Sequence, residues 1–333
     1  MPTPARVLRR AAALIVCATT LSACGLLPGT SGDETPALER NTLRIGVLPV
    51  VDVAPLKLAL NDKLFERAGL QVQLVDVSSE DEGLKQLDST LDITWGSHVK
   101  LFSKVAEGTE LQIQGEAYQA GANSMALVTT NPQYDSAEKI KGRSANRKPK
   151  IAVDSTKDLG ALTTTSVLKT AGIEQSSVEL TTMPFSQMVN DLRADKIQAA
   201  WMIEPYITKA QREVGARVIT DTATGPTQDF PMSGYASSKK FADANPQTLK
   251  LFRSVLQEAQ QAASDNKLAV QDVLTSYIDV DQQTAALVSI GTFPVSLNSV
   301  RLQRVADMMD TADVLVGKLD VQVLLPEGTA STG

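Results

Sequence analysis

The chain has 333 residues, 43% of them hydrophobic, and its 38 acidic residues outnumber 32 lysines and arginines to give a net charge of -6. This acidic balance argues against nucleic-acid binding, which depends on a basic surface. The hydrophobic content suffices for one or two domains with cores of their own. The single histidine excludes a metal site built from several histidines, and we predict neither a metal nor a cofactor.

The N-terminus has the three parts of an export signal. Arginines at the start are followed by an apolar run over residues 11–21, which is too short to span a bilayer. The sequence Leu21-Ser22-Ala23-Cys24 then resembles the lipobox of bacterial lipoproteins, in which cleavage leaves an acylated cysteine as the new N-terminus. We therefore predict a signal peptide over residues 1–23 and lipidation of Cys24. The alternative is an unmodified Cys24 thiol beside an ordinary signal peptide.

Cysteine usage supports this prediction, because Cys17 would leave with the signal and Cys24 would be the one cysteine of the mature chain. Paired arginines, Arg9 and Arg10, leave both Sec and twin-arginine export open. Loss of the signal removes three arginines, so that 29 basic residues face 38 acidic ones and the mature charge is near -9. Residues 24–40 lack apolar periodicity and are rich in Gly, Pro, Ser and Thr, which is typical of a flexible tether.

Short apolar runs alternate with amphipathic segments in the first part of the folded body, from about residue 41. Pro55 opens a predicted helix that Gly69 ends, and Ser79 with Glu82 forms a capping box for the next helix. A further helix is predicted over residues 99–107. The predicted strands cover residues 43–48, 71–77, 91–95 and 111–118.

The alternation restarts after a basic loop over residues 139–150. The predicted strands here cover residues 151–154, 178–183, 198–203 and 216–220, and the predicted helices cover 158–171, 186–195 and 205–214. LKQLDSTLDITW in the first half and VNDLRADKIQAAW in the second both run from a helix end into a strand that closes on tryptophan. The pattern predicts two α/β lobes with parallel sheets covered on both faces.

The last part of the chain is predicted to be helical, over residues 247–263, 268–278, 282–290 and 299–316. Helices that follow both sheets must pack on a lobe already built, so we predict that the first lobe is discontinuous. Its limits would be 41–123 and 233–333, with the second lobe over 124–232. Two chain crossings would form a hinge, and the carboxyl ends of the strands of both lobes would face one cleft.

Four segments carry a resemblance to a known family: RIGVLPVVDVAPLKLALNDKLFERAGLQVQLVDVSS, LDITWGS, KIAVDSTKDLGALTTTSVLKTAGI and IQAAWMIEPYITKAQREVGARVITD. In order and spacing they resemble the nitrate, sulfonate, taurine and thiamine-precursor group of ABC-importer solute-binding proteins, over about Leu43 to Leu325. The resemblance implies an α/β, two-lobed type II periplasmic-binding-protein fold with a ligand cleft between the lobes. It also implies capture of a small polar molecule, delivery to a membrane permease, and anchorage by lipid at the extracellular face of a bacterial membrane.

Candidate ligand contacts follow the predicted strand ends. In the first lobe they are Val51, Asp52, Trp95, Gly96, Ser97 and His98. In the second lobe they are Asp154, Ser155, Thr156, Trp201 and Glu204, and near the crossings they are Tyr118, Asn123 and Tyr235. Other roles stay open: Asp52 would cap the helix at Pro55, His98 would only begin a helix, and the tryptophans would pack between lobes.

Two other function classes compete with solute import. An enzyme on the same fold, like a yeast-type thiamine-precursor synthase, uses histidine and cysteine chemistry, and the folded body has no cysteine. A membrane-tethered sensor would bind a solute and signal to a membrane partner. We predict a monomeric binding protein, not an enzyme. The predicted cleft loops carry no arginine, which favours a neutral or cationic nitrogen-containing ligand over an anion.

Overall fold

The structure is a computed structural model that describes residues 37–140, 148–315 and 317–329. The predicted signal peptide, Cys24 and all but the last four residues of the predicted tether therefore lie outside the described residues. Within the described residues, the α/β architecture consists of two five-stranded sheets with helices around them.

The first sheet has the strand order β2-β1-β3-β10-β4. Strand β1 pairs in parallel with both β2 and β3, so their carboxyl ends lie at one edge. Strand β10 pairs antiparallel with β3 on one side and with β4 on the other. The bounds are β1 Thr42–Val47, β2 Gln71–Asp76, β3 Ile93–Ser97, β4 Leu111–Gln119 and β10 Pro231–Ser238.

The second sheet has the strand order β7-β6-β8-β5-β9. Strand β6 pairs in parallel with β7 and β8, while β5 pairs antiparallel with β8 and β9. The bounds are β5 Met125–Thr129, β6 Lys150–Val153, β7 Glu179–Thr182, β8 Ala199–Ile203 and β9 Arg217–Asp221.

The two sheets repeat one arrangement, in which each strand of one sheet has a counterpart in the other. Trp95 on β3 and Trp201 on β8 occupy equivalent central strands, as the internal similarity of the sequence indicates. Our expectation of wholly parallel sheets is wrong, because each sheet contains one antiparallel strand, β10 or β5. Each of these strands follows a crossing from the other sheet and therefore enters its sheet in the opposite direction.

One predicted helix is divided in the structure. The predicted helix after Pro55 divides at Lys63, whose left-handed backbone (φ 55°) separates α1 from α2. Ser79 caps α3 by accepting from the Glu82 N–H, as predicted, but the Glu82 carboxylate accepts from the Ser78 N–H and so does not complete the predicted capping box. The bounds are α1 Ala54–Asn61, α2 Leu64–Arg67, α3 Glu80–Gln86, α4 His98–Ala106, α5 Leu159–Thr170, α6 Phe185–Arg193, α7 Tyr206–Val214, α8 Lys239–Ala244, α9 Pro246–Asp265, α10 Lys267–Leu274, α11 Gln282–Ala285 and α12 Ser299–Thr311.

Helix α9 packs on α1 and β4, so the helical C-terminal part contacts the first sheet. Phe65 and Phe252 stack there with ring centroids 6.0 Å apart, and both side chains are fully buried. The predicted lobe limits at 123/124 and 232/233 stay a prediction. No helix in the described ranges is both long enough and apolar enough to cross a bilayer.

Candidate ligand-binding cleft

A cavity of about 510 Å³ lies between the carboxyl edges of the two sheets. Its walls come from the segments that follow β1, β2 and β3 in the first sheet and β6, β7 and β8 in the second. The beginning of β10 adds Met232 and Ser233. Ligands of α/β sheets bind beyond the carboxyl ends of the strands, so the cavity lies where the fold favours a ligand.

Asp52, Trp95 and Ser233 form one polar group on the wall of the first sheet. The Asp52 carboxylate is 2% exposed and accepts a hydrogen bond from the Ser233 hydroxyl. Burial raises the pKa of Asp52 to about 6, against the opposing effect of the Ser233 bond. The indole N–H of Trp95 lies near this carboxylate but makes no hydrogen bond of normal geometry.

A second polar group connects the two sheets. The Ser97 hydroxyl, at the end of β3, lies 3.1 Å from Glu80 Oε2 and 2.7 Å from Asp158 Oδ1. The Ser97 backbone N–H also donates to Glu80 Oε2 at 2.8 Å. The Lys100 ammonium lies 3.4 Å from Asp158 Oδ2 and 3.3 Å from Asp81 Oδ2. The Ser97 hydroxyl and the Lys100 ammonium thus contact three carboxylates, which come from both sides of the cleft: Glu80, Asp81 and Asp158.

Asp154 completes a carboxylate cluster, defined here as Glu80, Asp154 and Asp158. Each offers a carboxylate atom within 4.8 Å of the other two, a spacing within which three carboxylates could surround a cation. Asp154 Oδ1 is buried without a hydrogen-bond partner. A Cβ at Gly160 would lie 2.1 Å from this oxygen and 2.7 Å from Trp201 Cε3, so only glycine allows Asp154 and Trp201 to approach here.

The proximity of these carboxylates changes their protonation. Burial, together with the charge of Asp158, raises the pKa of Asp154 to about 8. The same two causes raise the pKa of Glu80 well above its usual range, and burial raises the pKa of Asp158. Burial opposes the charge of Lys100, but the surrounding carboxylates raise its pKa and keep it protonated. Near neutral pH the ligand-free cluster therefore retains protons.

Aromatic rings form an apolar wall of the same cavity. Phe185 stacks on Tyr206 with ring centroids 4.9 Å apart. Its ring also lies 6.0 Å from the indole of Trp201. All three residues line the cavity, so the site combines carboxylates with a face for an apolar or aromatic ligand portion.

Comparison with known proteins identifies the family. The profile of the NMT1-like family matches residues 36–276, which is well over half of the sequence. The chain belongs to the NMT1-like family. A protein of Brachyspira hyodysenteriae, named as an ABC transporter periplasmic binding protein, is 22% identical over 271 residues, which are 79% of this chain and 76% of the relative.

Solved structures with the same fold support the assignment of the fold class. The periplasmic aliphatic sulphonate binding protein SsuA from Escherichia coli is 16% identical, with a TM-score of 0.68 over 87% of this chain and 99% of its own. The ligand-binding component of an ABC-type import system from Staphylococcus aureus, solved with zinc bound, is 12% identical, with a TM-score of 0.73 over 88% of this chain and 100% of its own. The predicted two-lobed periplasmic-binding-protein fold is thereby confirmed.

Several residues predicted as ligand contacts in this NMT1-like protein line the cavity. They are Asp52, Trp95, Ser97, Asp154, Ser155 and Trp201. The others lie outside the lining for identifiable reasons. Thr156 is exposed, and Val51 and Gly96 face inward, where Gly96 packs against Leu101. Ligand contact by any of these residues stays a prediction.

Two further candidates outside the lining are held by other bonds. His98 is fully buried, its Nδ1–H donates to the Pro231 carbonyl at 3.1 Å, and burial lowers its pKa to about 4. Glu204 Oε1 accepts from the Thr208 hydroxyl at 2.8 Å and from the Ser289 N–H at 3.0 Å. Both side chains thus have structural partners and lie outside the cavity lining.

The candidates near the crossings also lie outside the lining. The Tyr118 hydroxyl accepts from the Gly291 N–H, and the buried Tyr235 ring packs on its edge against Phe252. Asn123 has a left-handed backbone (φ 57°), and its N–H donates to Asp221 Oδ2 at 2.7 Å. Of these three residues, Asn123 contacts the second sheet at the end of β9, whereas Tyr118 and Tyr235 contact the C-terminal part of the chain.

Sequence reasoning missed Glu80, Lys100, Phe185 and Tyr206. Glu80 and Phe185 follow the ends of β2 and β7, where the same strand-end rule applied to β1 and β6 would have found them. Lys100 lies one helical turn after Ser97 and so shares its face of α4. Asp158 also lines the cavity, and it caps α5 because its Oδ1 accepts from the Leu159 N–H.

Proposed function

We propose that this protein is the extracytoplasmic solute-binding component of an ABC importer. One observation carries the proposal: a cavity large enough for a small polar molecule lies between the carboxyl edges of two equivalent sheets. The named roles of the Brachyspira relative and of the sulphonate-binding and S. aureus neighbours support the same function. The solute would bind in this cavity, and the lobes would close over it.

Closure gives the permease a signal that a solute is present. The second polar group joins the lobes through Ser97 and Asp158, so a ligand that adds contacts across the cleft would favour the closed form by its differential affinity. The permease would then recognise the closed form. We also propose that the protein is a monomer that binds its solute without a chemical step; the named roles of its relative and structural neighbours as binding proteins support the second part.

Membrane attachment belongs to the same proposal. The lipobox-like sequence ending at Cys24 would anchor the mature protein by lipid, and residues 24–40 would act as its tether. Two acyl chains anchor a protein stably because each buried methylene contributes about 0.8 kcal/mol. The anchor would keep the binding protein at the extracellular face, close to its permease.

The test combines ligand discovery with a measurement of closure. The full chain is screened by thermal shift against small amines, sulfonates, nitrate, pyrimidines and vitamins, since a ligand at a hundred times its Kd adds about 2.7 kcal/mol. We expect a hit that is recovered chemically unchanged and that reduces the radius of gyration in small-angle scattering. A saturating ligand that leaves the radius unchanged, or that is converted to product, would contradict the proposed function.

A further inference from the structure

The charges that line the cleft are strongly unbalanced. Lys100 is the one cationic side chain among the described lining residues. The anionic side chains are Asp52, Glu80, Asp81, Asp154 and Asp158. An anionic ligand placed among these groups would meet repulsion without an arginine to offset it.

The carboxylate cluster forms across the cleft, with Glu80 from the first lobe and Asp154 and Asp158 from the second. Ser97 has one hydroxyl proton, yet its oxygen lies within hydrogen-bond distance of both Glu80 and Asp158. Lys100 is engaged by Asp158 and Asp81. Among the described residues, the buried Oδ1 of Asp154 makes no hydrogen bond of normal geometry. A ligand with several N–H donors would satisfy it.

Two other features point to an organic ligand. Trp95 is only 5% exposed, lines the cavity and carries an indole N–H without a hydrogen bond of normal geometry, so it can donate to a ligand acceptor. The wall formed by Phe185, Trp201 and Tyr206 offers ring faces to an apolar portion or to a cation. A bare metal ion would leave both features, and most of the 510 Å³ cavity, unused.

We propose that the cleft selects an organic molecule with a protonated primary or secondary amine, whose N–H groups donate to the carboxylate cluster while its apolar portion packs on Phe185, Trp201 and Tyr206. This inference rests on the proposed solute-binding function and names the ligand class. Gly160 is part of the selectivity, because its missing side chain leaves Asp154 and Trp201 side by side, one to pair with the ammonium and the other to face the adjoining carbon atoms.

Binding of an ammonium should release protons. The pKa of Asp154, raised to about 8 by burial and by Asp158, means that the ligand-free cluster holds a proton at pH 6. The other titratable groups around the cavity are Asp52, Glu80, Asp81, Lys100, Asp158 and Tyr206. At low pH a bound cation must displace protons from the carboxylate cluster. At high pH the cluster holds fewer protons, so the cation displaces fewer of them. Its affinity should therefore rise from pH 6 to pH 8, by about 50-fold for one displaced proton with a pKa of about 8.

The experiment uses the full chain and three matched probe pairs in titration calorimetry. The amines are benzylamine, 1,4-diaminobutane and ethanolamine, and their neutral counterparts are benzyl alcohol, 1,4-butanediol and ethylene glycol. We expect at least one amine to bind about tenfold or more tightly than its alcohol, and benzenesulfonate not to bind. Asp154→Asn and Glu80→Gln should each remove most of this preference. Asp310→Asn, which removes an exposed carboxylate on α12, should retain it.

The outcomes separate this inference from the proposed function. If no amine binds better than its alcohol, while a neutral or anionic solute binds and closes the lobes, the ligand class is wrong and solute binding stands. Tight binding of zinc chloride that Asp154→Asn abolishes, without any amine preference, would also overturn the inference in favour of a metal site. If nothing in the screen binds or closes the lobes, both the inferred ligand class and the proposed function are contradicted. Unchanged melting temperature of the variants at pH 6 excludes misfolding as the cause.

Discussion

The Ser97 hydroxyl lies 2.7 Å from Asp158 Oδ1, which joins the end of β3 in one sheet to the first residue before α5 in the other. Ser97 also caps α4, since its hydroxyl oxygen accepts from the Lys100 N–H at 3.0 Å. Asp158 caps α5 in the same way. Two helix caps thus meet across the cleft, so each of these helix starts also takes part in the contact between the two sheets.

Ser97→Ala should therefore affect both stability and closure. Loss of the cap on α4 should lower the free energy of unfolding by about 1 kcal/mol, measured in urea. Loss of the contact with Asp158 should increase the radius of gyration of the ligand-free protein in small-angle scattering. Ser97→Thr retains the hydroxyl and serves as the control. Equal radii for wild type and Ser97→Ala would contradict a role of this contact in closure.

Lipidation can be tested by substituting Cys24 and, as a control, the nearby Cys17. Cys24→Ala should release the protein from membranes, because the acylated residue would be lost, whereas Cys17→Ala should stay membrane-bound. Fractionation of cells followed by immunoblotting measures the difference. Membrane retention of Cys24→Ala equal to that of Cys17→Ala would contradict the predicted anchor.

The carboxylate cluster should make the ligand-free protein less stable at alkaline pH. Because the pKa of Asp154 is raised to about 8 in the folded state, the folded state binds more protons than the unfolded state, and stability falls as pH rises through 8. The loss between pH 6.5 and 8.5 should be up to about 2 kcal/mol, less any relief from lobe opening. His98, with a pKa lowered to about 4, contributes the opposite slope only below this window.

Asp154→Asn is the matching variant for this pH dependence. It should flatten the curve of unfolding free energy against pH between 6.5 and 8.5, and at pH 8.5 it should be more stable than wild type. Urea unfolding at several pH values measures both curves. A slope that is the same in wild type and Asp154→Asn would show that this carboxyl does not titrate as described.

The ion pair of Glu116 and Arg301 should be among the costliest to break. Glu116 is 1% exposed, and Arg301 donates to it through two nitrogens, at 2.9 Å and 2.7 Å. Arg301→Met should cost about 3–5 kcal/mol because it leaves a buried carboxylate unpaired. The double variant with Glu116→Met should recover much of that loss in urea unfolding. A double variant no more stable than Arg301→Met would contradict this account.

Gly160 offers a test of cleft geometry that leaves the charges unchanged. In Gly160→Ala the new Cβ would displace Asp154 and Trp201, so ligand affinity should fall by about tenfold or more. Gly172→Ala is the control, because Gly172 has open space around it but a φ of +71°. It should cost about 1 kcal/mol of stability and leave affinity unchanged. Calorimetry with the ligand found in the screen compares the two, and equal affinities would contradict the role of Gly160.

Much of the fold could be predicted because the parallel strands are short apolar runs bounded by prolines, glycines and caps. Strand β10 was missed because PMSGYASS has no apolar alternation, and its serines become buried only through pairing with β3 and β4. Strand β5 was missed because five apolar or small residues are a weak signal beside a crossing. The pairing of Lys100 with Asp158 could not be predicted, since it depends on how α4 and α5 approach across the cleft.

The position of β10 between β3 and β4 also determines when the first sheet can form. Every strand of the second sheet lies between Met125 and Asp221 and is synthesised without interruption, whereas the first sheet lacks an internal strand until Ser238 has been made. In the growing chain the second sheet can therefore fold alone, while β3 and β4 have unpaired edges until β10 is synthesised. In a chain that stays unfolded until it has been exported, β3 and β4 would not be exposed in this way, because all strands of both sheets would then be present when folding begins.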